Sequence, residues 1–361
     1  MRVLVLDTER GWRGGQRQTL LLARELARRG EQCYVAARPL APLAERAHAL
    51  GLPVVPAAPT GEVALLTAWR LRRFIKRHDV QIVHAQTAHD VTLGAMCTLG
   101  TTARLVVTRH LAKPPRANPG TRWKYSRAAA VMAVSRAAAD ALGAAGVRPE
   151  LLSVVHGGVE TDRTVAPAPA ELLATLGVPP GAPLAVMVGA LVEQKDPLTF
   201  VRAVAAARRQ APTLHGLLVG EGELRGAVET EIAGLGLSGF VHLAGFRTDV
   251  DELLAAARVA VLSSRFEGLP LVIMDAFALG VPVAATAGSG TPELVADDDT
   301  GLLVPVGDAP ALGAAIARIV NDPALAQRLR QAGLARADDF SVRRMADATI
   351  GVYRDVLRGA R

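Results

Sequence analysis

Glu267 and Asp275 stand eight positions apart in the run Ser263-Ser264-Arg265-Phe266-Glu267-Gly268-Leu269-Pro270-Leu271-Val272-Ile273-Met274-Asp275. Carboxylates accept hydrogen bonds, so a pair of them beside a ligand suits the hydroxyls of a sugar or a ribose. The plainer reading makes Glu267 a decoration of a helix start and Asp275 a solvated side chain. Two other stretches suit an anion. Gly11-Trp12-Arg13-Gly14-Gly15-Gln16 offers backbone N–H groups that glycine lets approach a phosphate, or else it is only a tight turn. Val188-Gly189-Ala190-Leu191-Val192-Glu193-Gln194-Lys195-Asp196 carries a lysine that either faces a phosphate or is solvated. Histidines complete the set: His110 ends Val106-Val107-Thr108-Arg109-His110, and His84 and His89 flank Ala85-Gln86-Thr87-Ala88. A lone histidine is more often structural than catalytic. A separation of five keeps His84 and His89 off a common helical face, so no metal site is expected.

Each of these stretches follows a strand. Val3 to Leu6, Cys33 to Ala36, Val54 to Val55, Ile82 to His84, Leu105 to Thr108 and Val131 to Val134 read as short strands alternating with helical stretches. Thr161 to Pro183, rich in Pro and Ala, reads as an interdomain linker. A second series follows at Leu184 to Val188, Gly216 to Val219, Phe240 to Leu243, Val259 to Leu262 and Val283 to Ala285. The expected fold is α/β, two Rossmann-like domains with parallel sheets facing across an interdomain cleft, ligands lying beyond the carboxyl ends of the strands. Pro270 fits the first position of a helix that Gly280 and Pro282 end, which puts Glu267 in the loop and Asp275 on the second turn. The tail from Ser341 to Arg361 reads as a helix with Met345, Ala348, Val352 and Val356 on its apolar stripe.

At 361 residues with 50% hydrophobic and 21% charged content, the chain has the make-up of a soluble two-domain protein. Cys33 and Cys97 are its only cysteines, which supports neither a disulfide framework nor a zinc site and agrees with a reducing cytoplasm. No signal peptide is read at the amino terminus, and no apolar run approaches the roughly 20 residues of a bilayer span. Charge is uneven: residues 1–165 hold 24 Lys and Arg against 12 Asp and Glu, net +12, whereas residues 166–361 hold 17 against 22, net −5. A basic half implies an anionic partner. Residues 69–78, from Trp69 to His78, interleave bases with Trp69, Leu71, Phe74 and Ile75, which suits an anionic membrane surface or an ordinary sheet-packing helix with a basic outer face. No recognition fold or stacking platform accompanies the charge, so nucleic acid is not expected. Gly220-Glu221-Gly222-Glu223-Leu224-Arg225-Gly226 misses the dinucleotide fingerprint by one position, and Asp297-Asp298-Asp299 reads as a solvated loop.

Glu267-Gly268-Leu269-Pro270, the second acid eight positions on and then Ala276-Phe277-Ala278-Leu279-Gly280-Val281-Pro282-Val283 resemble the Glu-x7-Glu signature of the family 4 retaining glycosyltransferases. Asp275 stands where that family usually has glutamate, and Ala190 stands where it has the arginine of Gly-Arg-Leu, five positions before Lys195. The likeness runs in order through Val134-Ser135-Arg136, His156-Gly157-Gly158-Val159-Glu160, Gly220-Glu221-Gly222, Gly245-Phe246-Arg247-Thr248-Asp249 and Ser289-Gly290-Thr291-Pro292-Glu293. It implies the GT-B fold, an acceptor-side domain over 1–165 with the 341–361 helix packing back on it, and a nucleotide-sugar domain over 166–340.

The resemblance also implies roles. His110, Lys195 and Glu267 become catalytic, with Lys195 and glycine-loop amides on the leaving diphosphate, Glu267 on the sugar hydroxyls and His110 on the transferred sugar. Gly14, Gly15, Gly222, Phe246, Arg247, Gly268, Leu269, Asp275, Gly290 and Thr291 become donor-binding: Asp275 on the ribose, Phe246 and Arg247 near the base, Gly290 and Thr291 through amides at a helix start. His84, His89 and Arg13 fall on the acceptor side. Arg13 or Arg265 would replace the missing cation at position 190. The activity implied is metal-independent, cofactor-free retaining transfer from a nucleotide-diphosphate sugar to a glycan or glycolipid hydroxyl in bacterial lipopolysaccharide or other envelope polysaccharide synthesis. Its place is then the cytoplasm, peripheral on the inner face of the membrane. The alternatives are a nucleotide-sugar epimerase or hydrolase on the same fold, or an inactive sugar-nucleotide-binding scaffold.

Overall fold

The computed structural model describes residues 1–61, 64–115 and 118–359. The chain divides into two units, Met1–Gly158 with Val342–Arg361, and Val159–Ser341. Strands of the first unit are β1 (Arg2–Leu6), β2 (Gln32–Ala37), β3 (Val54–Pro56), β4 (Ile82–Ala85), β5 (Arg104–Arg109), β6 (Ala128–Ala133) and β7 (Leu152–Val154). They lie in the order β3-β2-β1-β4-β5-β6-β7, every pair parallel. The second unit has β8 (Leu184–Val188), β9 (His215–Val219), β10 (Val241–Gly245), β11 (Val259–Leu262), β12 (Val283–Thr286) and β13 (Leu302–Val304) in the order β10-β9-β8-β11-β12-β13, again all parallel. Both are doubly wound sheets whose order reverses once, at β1/β4 and at β8/β11. Ligands of such sheets bind at the carboxyl ends beside that reversal.

The strands are unbroken apolar runs because parallel strands are buried on both faces; Val3, Leu4, Val5 and Leu6 of β1 are all fully buried. β7 and β13 have no counterpart in the sequence reading, since three-residue edge strands carry too short a pattern to stand out. β6 begins on Ala128-Ala129-Ala130, residues of high helix propensity that sheet pairing with β5 overrides. The stretch read as a linker is also corrected. Residues from Val159 onward belong to the second unit, where the helix Ala170–Thr175 forms and Ala168 N–H donates to Glu252 O at 2.9 Å.

Helix Val342–Arg358 completes the core of the first unit. Met345, Ile350, Val352, Tyr353 and Val356 pack with Leu22 and Leu26 and with sheet residues such as Val5 and Met132. Ala348, read as part of that stripe, is exposed; the buried line runs instead through Met345, Thr349, Val352, Tyr353 and Val356, at the helical spacing that faces the sheet. Gly158 lies against this helix, where an added Cβ would stand 2.7 Å from the Val342 Cα, so only glycine fits.

Candidate active site

In the second unit the loops after β8 and β11, on either side of the reversal, are laced together. Ser263 Oγ donates to Lys195 O at 3.0 Å and Asp196 O at 2.9 Å, Gln194 Nε2 donates to Phe266 O at 3.1 Å, and Arg265 N–H donates to Gln194 O at 2.9 Å. Asp196 turns the chain in the left-handed region at φ 47° and caps helix Pro197–Ala207 by accepting from Thr199 N–H. This lacing fixes the pair that matters. Lys195 Nζ lies 2.5 Å from Glu267 Oε1, which also accepts from Ser264 Oγ at 2.7 Å. Glu267 is 5% exposed, while the Lys195 side chain is 22% exposed, so the cation keeps an open side that the carboxylate lacks.

Asp275 sits on helix Leu271–Ala278 with Pro270 as its N-cap, one position earlier than the sequence suggested for the proline. It is buried and receives Arg163 Nη2 at 3.2 Å; Arg163 also pairs with Asp251. Arg163 lies in the stretch read as linker, where no local pattern marked it. Gly268 and Leu269 are buried between Glu267 and that helix. Gly222 has a packing reason: a Cβ there would lie 2.3 Å from Leu191 O, and one on Gly220, at φ 143°, 2.0 Å from Gly189 O. These glycines let the loop after β9 press on the loop that carries Lys195. Phe246 is 66% exposed, and Arg247 forms a two-point pair with Asp249 through Nε at 2.8 Å and Nη2 at 2.5 Å, which holds the Asp249 carboxyl below the usual range.

Gly290 and Thr291 require a correction. Their amides are not offered to a ligand: Gly290 N–H donates to Glu267 O at 3.2 Å and Thr291 N–H to Gly288 O at 2.9 Å. The helix they open, Thr291–Leu294, is a single turn. Gly290 thereby ties that turn to the backbone of Glu267, and Thr291 closes the loop onto Gly288. Arg265 pairs with Asp196 at 3.2 Å and Glu193 at 3.7 Å, which commits it within its own loops.

In the first unit Gly14 and Gly15 are the first residues of helix Gly14–Arg28, two positions before the expected start, and exposed Arg13 is the N-cap. A Cβ on Gly15 would meet nothing within 4 Å, so space lies in front of this helix start. Gln16 anchors the turn, accepting from Arg13 N–H at 3.1 Å and donating to Asp7 at 3.1 Å. Asp7 follows β1 and is fully buried; burial and the nearby Asp90 push it up to about 6.

His84, on β4, is also corrected. It is fully buried, with Nδ1 2.7 Å from the Tyr353 hydroxyl and Nε2 2.7 Å from Thr108 Oγ1, so it has no surface with which to meet an acceptor. Burial and His110 drive it down to about 3, which keeps it neutral. Behind it a relay begins. Gln86 Nε2 lies 3.2 Å from His84 Nδ1, and Gln86 Oε1 lies 2.9 Å from His110 Nε2. An amide oxygen only accepts, so His110 holds its proton on Nε2 and leaves Nδ1 as an acceptor. Burial and Arg109 lower His110 to about 4. These groups border a cavity of about 20 Å³, the room of one water. Tyr353, Thr108 and Gln86 were not singled out from sequence; a polar residue directly after β4 was the one available sign. His89, on the first turn of helix Ala88–Cys97, lines a separate and larger cavity.

Helix Leu65–Arg77 splits the residues grouped for a membrane surface. Leu71 and Ile75 are buried, Phe74 stacks on His78 and meets Tyr34 edge-on, and only Trp69 remains outside at 53% exposure, beside Leu65 and Leu66. Among the described residues no group of three or more His, Cys, Asp and Glu is placed to hold a metal ion, and no helix is long and apolar enough to cross a membrane.

Residues 12–163 match the description "Glycosyltransferase Family 4" and residues 170–336 "Glycosyl transferases group 1". The chain is 38% identical over 160 residues to the lipopolysaccharide core biosynthesis glycosyltransferase LpsE of Rhizobium meliloti, covering 44% of this chain and 46% of that one. It is 32% identical over 318 residues to the alpha-maltose-1-phosphate synthase of Mycolicibacterium smegmatis, covering 76% and 79%. It spans about half the length of the first curated relatives it matches, from 42% to 58%. HepE of Anabaena, solved in complex with UDP-glucose, has the same fold at a TM-score of 0.86 and 22% identity, over 98% of this chain and 100% of that one. With both halves matched and a relative aligned over most of its length, the chain belongs to the family 4, group 1 glycosyltransferases and has their GT-B fold.

Proposed function

We propose that this protein is a metal-independent, retaining glycosyltransferase that moves a sugar from a nucleotide-diphosphate sugar to a hydroxyl of a glycan or glycolipid. The observation that carries the reading is the Lys195–Glu267 pair at the β8/β11 reversal. A half-open ammonium there is placed to follow the charge that grows on a leaving diphosphate, the step where fixed donors contribute most. Ser264 keeps Glu267 aimed when the lysine turns to phosphate, leaving the carboxylate to accept from the donor sugar's hydroxyls, with backbone at Gly268 and Leu269 beside it. Asp275, steadied by Arg163, is assigned to the ribose hydroxyls. The open face of Phe246 and the guanidinium of Arg247 are assigned to the base, and the amides of Gly14 and Gly15 to the diphosphate. Neutral His110, from the first unit, presents Nδ1 to a sugar hydroxyl.

An envelope acceptor is supported by the likeness to LpsE, named for lipopolysaccharide core biosynthesis. Exposed Leu65, Leu66 and Trp69 next to Arg70, Arg73, Lys76 and Arg77 suit a cytoplasmic enzyme that rests on an anionic membrane. Vesicle sedimentation tests that part, and binding indifferent to lipid charge would sink it. For the reaction itself, UDP-, GDP- and ADP-sugars are screened by thermal shift, followed by turnover with lipid-linked glycans. The true donor stabilises the fold by about 2.7 kcal/mol at a hundred times its Kd. A screen in which no nucleotide sugar moves the Tm removes the reading.

A further inference from the structure

We propose that the acceptor carries a phosphate or comparable anion, and that the larger cavity of the first unit recognises it through Arg10, Arg38 and His89. This rests on the glycosyl-transfer reading and narrows its substrate class. The cavity holds about 580 Å³, within the usual range for small-molecule sites, and opens beyond the carboxyl ends of β1 and β2 beside the β1/β4 reversal. Among the described residues its charged lining is two arginines against one carboxylate, Glu9, with His89 and the hydroxyl-bearing Thr8 and Thr60 beside them.

Arg38 is held for this task. It leaves the end of β2 and donates through Nε to Thr8 O at 2.8 Å and through Nη2 to Pro59 O at 2.8 Å. Two carbonyls fix the plane of the guanidinium without neutralising it, and no carboxylate pairs with it among the described residues. Arg10 is exposed and likewise has no ion-pair partner among them. The nearest buried acids, Asp7 and Asp90, are not among the described residues that line the cavity. Asp7 is occupied by Thr19 and Gln16, and Asp90 by Thr8 and Thr87, all inside the wall. A planar guanidinium with free N–H groups matches the oxygens of a phosphate in two-point geometry. A neutral sugar would leave the half-buried Arg38 guanidinium without a counter-charge among the described residues.

The test titrates the intact protein with glycerol 3-phosphate and, in parallel, with glycerol, following heat and Tm. The phosphate ester binds and glycerol does not; Arg10→Ala weakens binding by roughly tenfold or more, and the Arg10→Ala/His89→Ala double variant weakens it further through the lost imidazole hydrogen bond. Arg38→Ala releases two carbonyls and risks the loop, so Arg38→Lys, which keeps the charge but loses the fork, is the conservative variant and falls between. A free phosphate and a lipid headgroup are separated by vesicles of phosphatidylcholine with and without phosphatidylglycerol: competition by such vesicles against glycerol 3-phosphate identifies a lipid source, and its absence a soluble one. Equal affinity for glycerol and its phosphate, or a double variant that binds like the wild type, overturns the proposal. Nucleotide-sugar stabilisation is read on the same samples. If it persists while the anion probes fail, only this inference falls; if it fails too, the glycosyl-transfer reading falls with it.

Discussion

The acids of the two units stand at corresponding ends of similarly ordered sheets and are held in opposite ways. Asp7, after β1, and Asp90, beside it, are fully buried and receive only hydroxyls and amides, with no cation pairing among the described residues. Glu267, after β11, and Asp275, on the helix that follows, are nearly as buried, yet each faces a cation, Lys195 and Arg163. Burial without a counter-charge favours the proton and makes a carboxyl part of the scaffold. Burial beside a half-open cation creates a charge pair that a ligand is able to divide, since the lysine exchanges one anion for another. Position at a strand end therefore does not make an acid functional; the partner does.

The sharpest way to break this contrast is to remove the mobile cation. Lys195→Ala should lower turnover by about 10²–10³-fold with secondary structure unchanged by circular dichroism. Full turnover in that variant would take Lys195 out of the mechanism.

The second test acts on the other unit. Asp7 titrates near 6 in the folded protein against an ordinary 3.8, so between those values the folded form keeps a proton the unfolded form has lost, and stability falls as pH rises through that window. Above it the charged group costs up to about 3 kcal/mol. Asp7→Asn should recover much of that at pH 7 and little at pH 4, measured as the difference in urea unfolding free energy from the wild type. The difference matters because His84 and His110 run the other way. Lowered to about 3 and about 4, they contribute fully above the ordinary 6.5 and lose that contribution as pH falls. A gain equal at both pH values would mean that Asp7 is not the group titrating.

Arg163→Ala should cost about 2 kcal/mol of thermal stability by leaving Asp251 and Asp275 without their shared guanidinium. An unchanged Tm would show that the pair contributes nothing. The smallest effect expected is from Gln86→Ala, which frees His110 to turn: kcat falls about tenfold while the KM for the donor holds. A fall in donor affinity instead would assign Gln86 to binding.

Much of this was legible in the sequence, and for a physical reason. Strands buried on both faces leave unmistakable apolar runs, and loops that approach a backbone closely require glycine, as Gly220 and Gly222 do. The Lys195 and Glu267 stretches could be singled out because both follow such strands. What escaped was long-range chemistry. His84 was placed at the acceptor because nothing local reveals that Tyr353, 269 positions later, would cap its ring. Gly290 and Thr291 were credited with free amides because a glycine before a helix start looks the same whether its N–H is vacant or, as here, already given to Glu267. Arg163 was hidden in a Pro- and Ala-rich stretch whose composition described the backbone and said nothing of the partners its side chain would find.

Tyr353 also bears on the order in which the protein is made. The first unit lacks part of its core until helix Val342–Arg358 is in place against Leu22, Leu26 and the sheet. On the ribosome, the first sheet precedes by some way the helix that closes its core, whereas the second unit is continuous in sequence from Val159 to Ser341. The core faces of β1 and β4 that pack on this helix therefore wait for it, and the second unit is free to fold before the first.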